Sequence, residues 1–470
     1  MTAAAPSDFL AELRATAPAL AVLTGDDCAP FQEDIMQIRG RAALVALPAS
    51  RDEVRQLVQA AVRHKVALVA QGARTGLVGG AVPDATGRQC VVSFQRMARV
   101  RDFNVVNRSI TVEPGLRLSQ LAALTAEHDL HFPIDIGADA TVGGVVATNA
   151  GGSRLLKYGD VRRNVLGLEV VLADAEATVV DVLAPLRKDN AGLDVKQLFI
   201  GGNGTLGLIT AVALDLKRRD RSSVSIFVSF RDLAAAASAL PAFEAAFGDM
   251  LGAFELISSP ALRAVLAAFP HLRSPLAAES APCFALIDVA TSMPGLGAVL
   301  AERAHDTLAS LHGDGRVVDA ALGVAERFWA IRDSLPLAVV RDAVPLAFDV
   351  GFARDALAPF MIEIGDWLAR EHPRLRNYEF GHFGDGGCHL TVAIPNDVLP
   401  EYGAMRQLAV RSAVYERVCA HGGSISAEHG MGPLNIAYYR KFEPAAVRAL
   451  GERVQGALDP ARVLGRIRYG

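Results

Sequence analysis

Three glycine-rich stretches punctuate the first half of the chain, and each lies beside a run of β-forming residues. They read QGARTGLVGG over residues 71–80, TVGGVVATNAGG over 141–152 and IGGNGTLGLIT over 200–210. Consecutive glycines let the backbone turn sharply and let its N–H groups converge on an anion. Each stretch alone is also typical of a structural turn, but three of them in one region indicate a cofactor that carries phosphate groups.

The common nucleotide motifs do not account for these glycines. The chain contains no GxxxxGK[ST], which excludes a P-loop. It also has no clear GxGxxG between a strand and a helix, so the Rossmann fingerprint is absent.

Short β-rich runs and helical patterns alternate from about residue 43 to 217, which predicts a mixed, layered domain. The segment SRDEVRQLVQAAVRHK, residues 50–65, has apolar residues spaced for one face of a helix. After Arg219 the chain becomes rich in Ala and Leu, and its helical patterns are longer. We therefore predict an α+β fold in three parts: residues 1–219, residues 220–420, and a helical segment over residues 421–470.

Two histidine motifs in the second half carry candidate chemistry. FGHFGDGGCHL contains His382 and His389, and SAEHGMG contains Glu428 and His429. Two histidines and a carboxylate can make the three protein ligands of an open divalent metal site. The remaining histidine could then serve as a base. Taken singly, each of the four is equally an ordinary loop, strand or helix-end residue.

Composition excludes several functional classes. The formal net charge is −4 and no basic block occurs, so no nucleic-acid partner is expected. The five cysteines are scattered and form no CxxC pair, which favours a reducing compartment. Charges interrupt every apolar run before it reaches bilayer length. We expect a cytoplasmic protein, with peripheral membrane attachment as the alternative.

Together, the glycine stretches and histidine motifs resemble the FAD-binding flavoproteins of the vanillyl-alcohol-oxidase type. The resemblance runs from about residue 40 to the C-terminus, and it is closest to the D-2-hydroxyacid dehydrogenase branch. That branch includes D-2-hydroxyglutarate and D-lactate dehydrogenases and the glycolate oxidase FAD subunit. It implies a two-lobed FAD-binding domain, an α+β substrate (cap) domain that carries metal ligands, and a helical C-terminal segment that completes the site.

The resemblance also implies which residues hold the flavin. The chain has no His or Cys at the place where covalent relatives attach FAD, so non-covalent FAD is expected. The implied cofactor contacts are Gly72, Arg74, Thr75, Gly76, Leu77, Gly79, Gly80, Pro133, Asp135, Gly143, Gly144, Thr148, Asn149, Gly152, Gly204 and Ile209.

A metal and substrate site follows from the same resemblance. His382, His389 and Glu428 match the ligands of a divalent metal, usually zinc, and His429 matches the proposed base. Arg332 matches the arginine that binds the substrate carboxylate, a role that suits a guanidinium. Thr391 stands where a polar substrate contact is expected.

Plain roles remain as alternatives for two of these residues, a surface charge for Arg332 and a strand threonine for Thr391. The branch usually carries a lysine where this chain has Ala347. Arg341 is a candidate substitute for that cation. The identity of the hydroxy acid therefore stays open.

The implied reaction is oxidation of a D-2-hydroxy acid, such as D-2-hydroxyglutarate or D-lactate, to the 2-oxo acid. Hydride passes to flavin N5, and electrons leave to an acceptor other than NAD, such as electron-transfer flavoprotein or quinone. A homodimer is a further expectation. The alternatives are a non-redox flavoenzyme like alkyl-dihydroxyacetone-phosphate synthase and a flavin subunit of a glycolate-oxidase-like complex.

Overall fold

The chain forms two compact units, seen in a computed structural model that describes residues 6–277 and 280–470. The first unit comprises residues 1–151, 160–218 and 428–470. The second comprises residues 152–159 and 219–427. Each unit is therefore assembled from stretches that are distant in sequence.

The strands and helices are numbered in chain order. The strands are β1 Ala21–Leu23, β2 Ala42–Leu47, β3 Leu68–Gln71, β4 Gln89–Ser93, β5 Val100–Asn104, β6 Ser109–Val112, β7 Leu130–His131, β8 Val165–Val171, β9 Val179–Val182, β10 Leu208–Asp215, β11 Lys217–Arg218, β12 Ser222–Phe230, β13 Leu251–Ser258, β14 Cys283–Thr291, β15 Val317–Gly323, β16 Ala343–Gly351, β17 Arg376–Gly381 and β18 Gly387–Pro395. The helices are α1 Pro6–Thr16, α2 Arg51–His64, α3 Leu118–Ala126, α4 Val142–Thr148, α5 Leu155–Tyr158, α6 Lys196–Phe199, α7 Leu233–Phe247, α8 Ser259–Ala268, α9 Gly297–Gly313, α10 Ala325–Ala338, α11 Arg354–Glu371, α12 Ala404–Ala420, α13 Ile436–Phe442 and α14 Ala445–Leu458.

Two sheets organise the first unit. One has the order β1-β2-β4-β3, in which β4 pairs in parallel with both β2 and β3. The other is antiparallel, with the order β5-β6-β10-β8-β9. Buried aliphatic side chains cover both sheets. The combination of helices and sheets confirms the mixed fold predicted from the sequence.

Helix α2 shows how the local sequence sets an element. Ser50 caps the helix by accepting a hydrogen bond from the backbone N–H of Glu53, and the Glu53 carboxylate accepts from the N–H of Ala49. The helix ends at Lys65, which adopts a left-handed conformation. The apolar face predicted from the sequence is buried against the first sheet.

The C-terminal segment belongs to the first unit because it pairs with β3. The N–H of Leu68 donates to the carbonyl of Val463, and the N–H of Gly465 donates to the carbonyl of Leu68. Buried Asp459 fixes this turn, since its carboxylate accepts from the N–H groups of Val463 and Leu464 at 2.8 Å each.

One seven-stranded antiparallel sheet forms the centre of the second unit, in the order β15-β12-β14-β13-β17-β18-β16. Helices α8 and α10 contribute buried apolar side chains to a core that also contains Phe284 and Leu286 of β14. Phe254 of β13 packs among Phe230, Phe243 and Phe383. The sheet is thus the rigid support for every side chain that it presents.

Among the helices formed by the described residues, none combines the length and the apolar character needed to cross a membrane.

Glu379 of β17 is a buried acid, and burial raises its pKa to about 7 although a hydrogen bond from Asn377 lowers it. Below pH 4.5 the carboxyl is protonated in both the folded and unfolded states, so it has no effect on the pH dependence there. Between pH 4.5 and 7 only the unfolded state ionises, and folding stability falls by about 3 kcal/mol.

Glu379→Gln resembles the protonated acid and is expected to escape this loss. The difference in unfolding free energy between the variant and the parent chain should grow in favour of the variant from pH 4.5 to 7. Urea unfolding at several pH values measures it, with the exposed Glu371→Gln as the control. A pH-independent difference would show that Glu379 titrates normally.

Candidate functional site

The glycine stretch at residues 71–80 contains two kinds of glycine. Gly79 has a φ of 73°, a left-handed conformation that favours glycine. Gly76 and Gly80 have ordinary φ values, and a Cβ added to either would meet no atom within 4 Å. The fold therefore does not itself require glycine at 76 and 80, and both positions leave space beside the backbone.

A cavity of the first unit brings residues from all three glycine stretches together. Its lining includes Gly72 after β3, Gly143 and Gly144 at the start of α4, and Gly204 and Ile209 from the third stretch. Gln71, Thr141 and Gly202 also line it, although the sequence analysis did not single them out. Thr141 caps α4 by accepting from the N–H of Gly144. A glycine-lined cavity at a helix start suits a phosphate-bearing ligand.

The other predicted cofactor contacts have diverse surroundings. Asn149, with a φ of 52°, bonds through its side chain to Asp160 and to the N–H of Arg162. The hydroxyl of Thr148 donates to the carbonyl of Gly144 within α4. Arg74 lies over the ring of Phe31, and burial lowers its pKa. Among the rest, Pro133 is buried, Asp135 and Leu77 are exposed, Thr75 is partly exposed, and buried Gly152 belongs to the second unit.

In the second unit, a tight turn between β17 and β18 positions the two motif histidines. His382 follows β17 directly, and His389 lies on β18. Gly386 closes the turn with a φ of 91°, and an added Cβ would lie 2.1 Å from the carbonyl oxygen of Phe352. Only glycine fits there. The two imidazole rings are 5.1 Å apart between centroids and nearly perpendicular.

Strand pairing places Asp349 beside His389. The two residues are direct partners in the β16–β18 pairing, and Asp349 Oδ1 lies 4.0 Å from His389 Nδ1. The hydroxyl of Ser426 donates to Asp349 Oδ2, and the N–H of Ala427 donates to the Asp349 carbonyl. The chain segment that leads to the second histidine motif is thus tied to β16.

Glu428 and His429 follow Ala427 directly along the chain. In the first unit, Glu428 Oε1 lies 3.6 Å from His429 Nε2. In the second unit, His389 and Asp349 offer an imidazole nitrogen and a carboxylate oxygen 4.0 Å apart, and such donors suit zinc and other divalent transition metals. His389 and Glu428 are predicted ligands, and His429 is the predicted base. Asp349 is an addition that the sequence analysis did not make.

His382 has different partners. Its Nδ1 lies 2.8 Å from Glu255 Oε1, and its Nε2 lies 3.4 Å from Arg332 Nη2. Arg332, on α10, also donates from Nε to Glu255 Oε2 at 2.8 Å. Nδ1 of His382 is therefore occupied by Glu255, and the predicted role of His382 as a metal ligand concerns Nε2.

Glu255 holds this arrangement in an ionised form. Burial raises the pKa of the carboxyl, but the charge of Arg332 and the hydrogen bonds with Arg332 and His382 outweigh burial and hold the pKa below its usual value. Glu255 was absent from the sequence analysis. It is the one charged residue in the buried run LGAFELIS of β13, and a charge in such a run is the signal that marks it.

Thr391, a further predicted substrate contact, lies on a strand of the second unit, whereas Arg341 lies between α10 and β16. Thr391 is buried on β18 and pairs with Ala347 of β16 and Tyr378 of β17. Arg341, the candidate substitute cation, is exposed and donates to the carbonyl of Ala268.

Two protein families match successive parts of the chain. Residues 42–181 match the FAD binding domain, and residues 219–468 match the C-terminal domain of FAD linked oxidases.

Individual proteins match along most of the chain. A mitochondrial D-2-hydroxyglutarate dehydrogenase of Bos taurus is 33% identical over 97% of this chain and 82% of its own length. D-2-hydroxyglutarate dehydrogenase of Stutzerimonas stutzeri is 29% identical over 89% of each chain. Among solved structures, 4-ethylphenol oxidase from Gulosibacter chungangensis shares the fold, with a TM-score of 0.75, 16% identity and coverage of 99% of this chain and 97% of its own.

These matches confirm the predicted relationship and show an enzyme of the oxidoreductase class with an FAD-binding domain. The chain belongs to the family of FAD-linked oxidases.

Proposed function

We propose that this enzyme oxidises a D-2-hydroxy acid to the 2-oxo acid with non-covalent FAD and a divalent metal. The observation that carries the proposal is the cluster of His382, His389 and Asp349 in the second unit, where the two imidazole rings are 5.1 Å apart and Asp349 Oδ1 lies 4.0 Å from His389 Nδ1. The names of the relatives support D-2-hydroxyglutarate as the first substrate to test. D-lactate and glycolate follow, because the branch that the sequence resembles also includes enzymes of these acids.

Each cofactor has a defined chemical task. When bound, FAD would supply an acceptor for the hydride from the substrate α-carbon, and a divalent metal would supply a lowered pKa of the substrate hydroxyl. The glycine-lined cavity of the first unit suits the phosphates of FAD, and the nitrogen and oxygen donors of His389 and Asp349 in the second unit suit the metal.

The side chains bind the substrate and move its proton. Arg332 binds the substrate carboxylate, since a guanidinium can donate two parallel hydrogen bonds to it. His389 and Glu428, with His382 or Asp349, would hold the metal. His429 accepts the hydroxyl proton at a ring nitrogen, which requires a neutral imidazole. Thr391 offers a further hydroxyl to the substrate.

The remaining features of the proposal concern partners and location. Electrons leave to an acceptor other than NAD, such as electron-transfer flavoprotein or a quinone. The protein acts in the cytoplasm or at a membrane surface as a homodimer. Co-purification tests the electron acceptor, and sedimentation of the purified enzyme tests the homodimer.

A panel of D- and L-2-hydroxy acids tests the reaction itself. We expect D-isomers to bleach the oxidised flavin spectrum in the absence of oxygen, and we expect a metal chelator to prevent it. The L-isomers serve as the control for stereochemistry. Failure of every hydroxy acid to reduce the flavin would favour the non-redox alternative. If flavin reduction persists after complete removal of the metal, the proposed metal requirement is wrong.

Variants of two predicted metal ligands separate catalysis from flavin binding. His382→Ala and Glu428→Ala should each lower the rate of flavin reduction roughly 100-fold or more, because metal stabilisation is worth several kcal/mol. Both should retain FAD. Rapid-mixing spectroscopy measures the reduction rate, and the flavin spectrum measures FAD content.

His421→Ala and Glu363→Ala are matched controls, since this His–Glu pair lies 3.4 Å apart on the α11 and α12 side of the second unit. They should keep the parental rate. Parallel loss of FAD from the His382 or Glu428 variants would instead indicate a structural role.

Gly76→Val tests the flavin contacts. The added side chain meets no protein atom near its Cβ, so apoprotein stability should change by no more than about 0.5 kcal/mol. If FAD occupies the space beside Gly76, its dissociation constant should rise at least roughly tenfold, the equivalent of 1.4 kcal/mol. Flavin fluorescence titration of the apoprotein measures it.

Gly456→Val in α14 of the same unit is the control, because a Cβ there also meets open space. Equal FAD affinity in the two variants would remove Gly76 from the predicted contacts.

A further inference from the structure

Glu255 is a buried carboxylate that contacts two residues of the proposed site, His382 and Arg332. It is 1% exposed in the middle of β13, where the other side chains are also buried. An ionised carboxylate in such surroundings is costly unless partners compensate for the lost water. Its partners are therefore the key to its function.

Both carboxylate oxygens of Glu255 serve residues of the proposed site. Oε2 accepts from Arg332 Nε, and Oε1 lies 2.8 Å from His382 Nδ1. A carboxylate can only accept, so Nδ1 of His382 carries the proton. In a neutral imidazole the lone pair is then on Nε2, which lies 3.4 Å from Arg332 Nη2.

We propose that Glu255 is a positioning residue that fixes His382 in the Nδ1-protonated tautomer and orients the guanidinium of Arg332. The lone pair on His382 Nε2 is thereby presented as a metal ligand, and Arg332 is aimed at the substrate carboxylate. A carboxylate behind a metal-binding histidine raises its basicity and fixes its ring. The inference deepens the proposed function and rests on it.

The neighbouring strand offers a carboxylate–arginine pair for comparison. Asp288 of β14 is 2% exposed and lies 2.6 Å from Arg154 Nη1, and it also accepts from Ser225. Neither of these two partners is a histidine. Loss of Asp288 therefore reports what removal of a buried carboxylate does to the unit in general.

Glu255→Gln should change the tautomer of His382. The carbonyl of the new amide will accept from the charged Arg332, which is the stronger donor, so its NH₂ group faces His382 Nδ1. The imidazole must then accept at Nδ1 and carry its proton on Nε2, where it blocks metal binding. Glu255→Asp keeps two acceptor oxygens and should keep the original tautomer.

The test uses the FAD-loaded enzyme with metal removed. Nitrogen chemical shifts of ¹⁵N-histidine report the tautomer, and the His382 signal is assigned from its absence in His382→Ala. Zinc affinity is then measured by competition with a chelator. We expect an Nδ1–H tautomer in the parent chain, an Nε2–H tautomer in Glu255→Gln, and zinc affinity lower in that variant by roughly 10- to 100-fold.

Asp288→Asn should change neither the tautomer nor zinc affinity. An Nε2–H tautomer in the parent chain would overturn the proposal without any variant. So would an equal loss of zinc affinity in Glu255→Gln and Asp288→Asn. If the parent chain binds no zinc or oxidises no hydroxy acid, the proposed function fails, and the tautomer still decides the role of Glu255.

Discussion

The pairing of β16 with β18 is the constraint on which the candidate site depends. It runs without a break from Ala343 opposite Pro395 to Gly351 opposite Gly387. Because side chains alternate between the faces of a strand, this register puts Asp349 and His389 on one face. If one strand shifted by one residue, its side chain would turn to the opposite face and the pair would separate. The backbone of Gly351 also bonds in both directions with Ser424, which anchors the segment that continues to Glu428.

Much of this site was visible in the sequence, because its motifs are local. His382 and His389 lie within one stretch of eight residues, and the glycines between them indicate a tight turn. Asp349 and Glu255 escaped notice because their roles arise from contacts across long sequence separations. Glu255 meets His382 over 127 residues, a pairing that depends on how β13, β17 and α10 assemble.

The division of the chain into units was similarly hard to foresee. Residues 421–470 read as one helical segment, but residues 428–470 pack with the first unit and residues up to 427 with the second. The hydrogen bonds between Leu68 and the chain near Val463 join residues almost four hundred positions apart. Helical periodicity identifies α14 but carries no information about which sheet its end will meet.

The structure and the relatives lead to different expectations for the end of the substrate that lies farther from the reacting carbon. Two residues along each strand from Asp349 and His389, the same strand faces carry Ala347 and Thr391. Neither side chain is charged, and Arg341 is exposed and bonded to Ala268. Arg332 is held by Glu255 and is assigned to the carboxylate next to the reacting carbon. A second substrate carboxylate needs its own cation, since burial of an unpaired charge is costly. Preference for D-lactate over D-2-hydroxyglutarate would follow if no other residue supplies that cation.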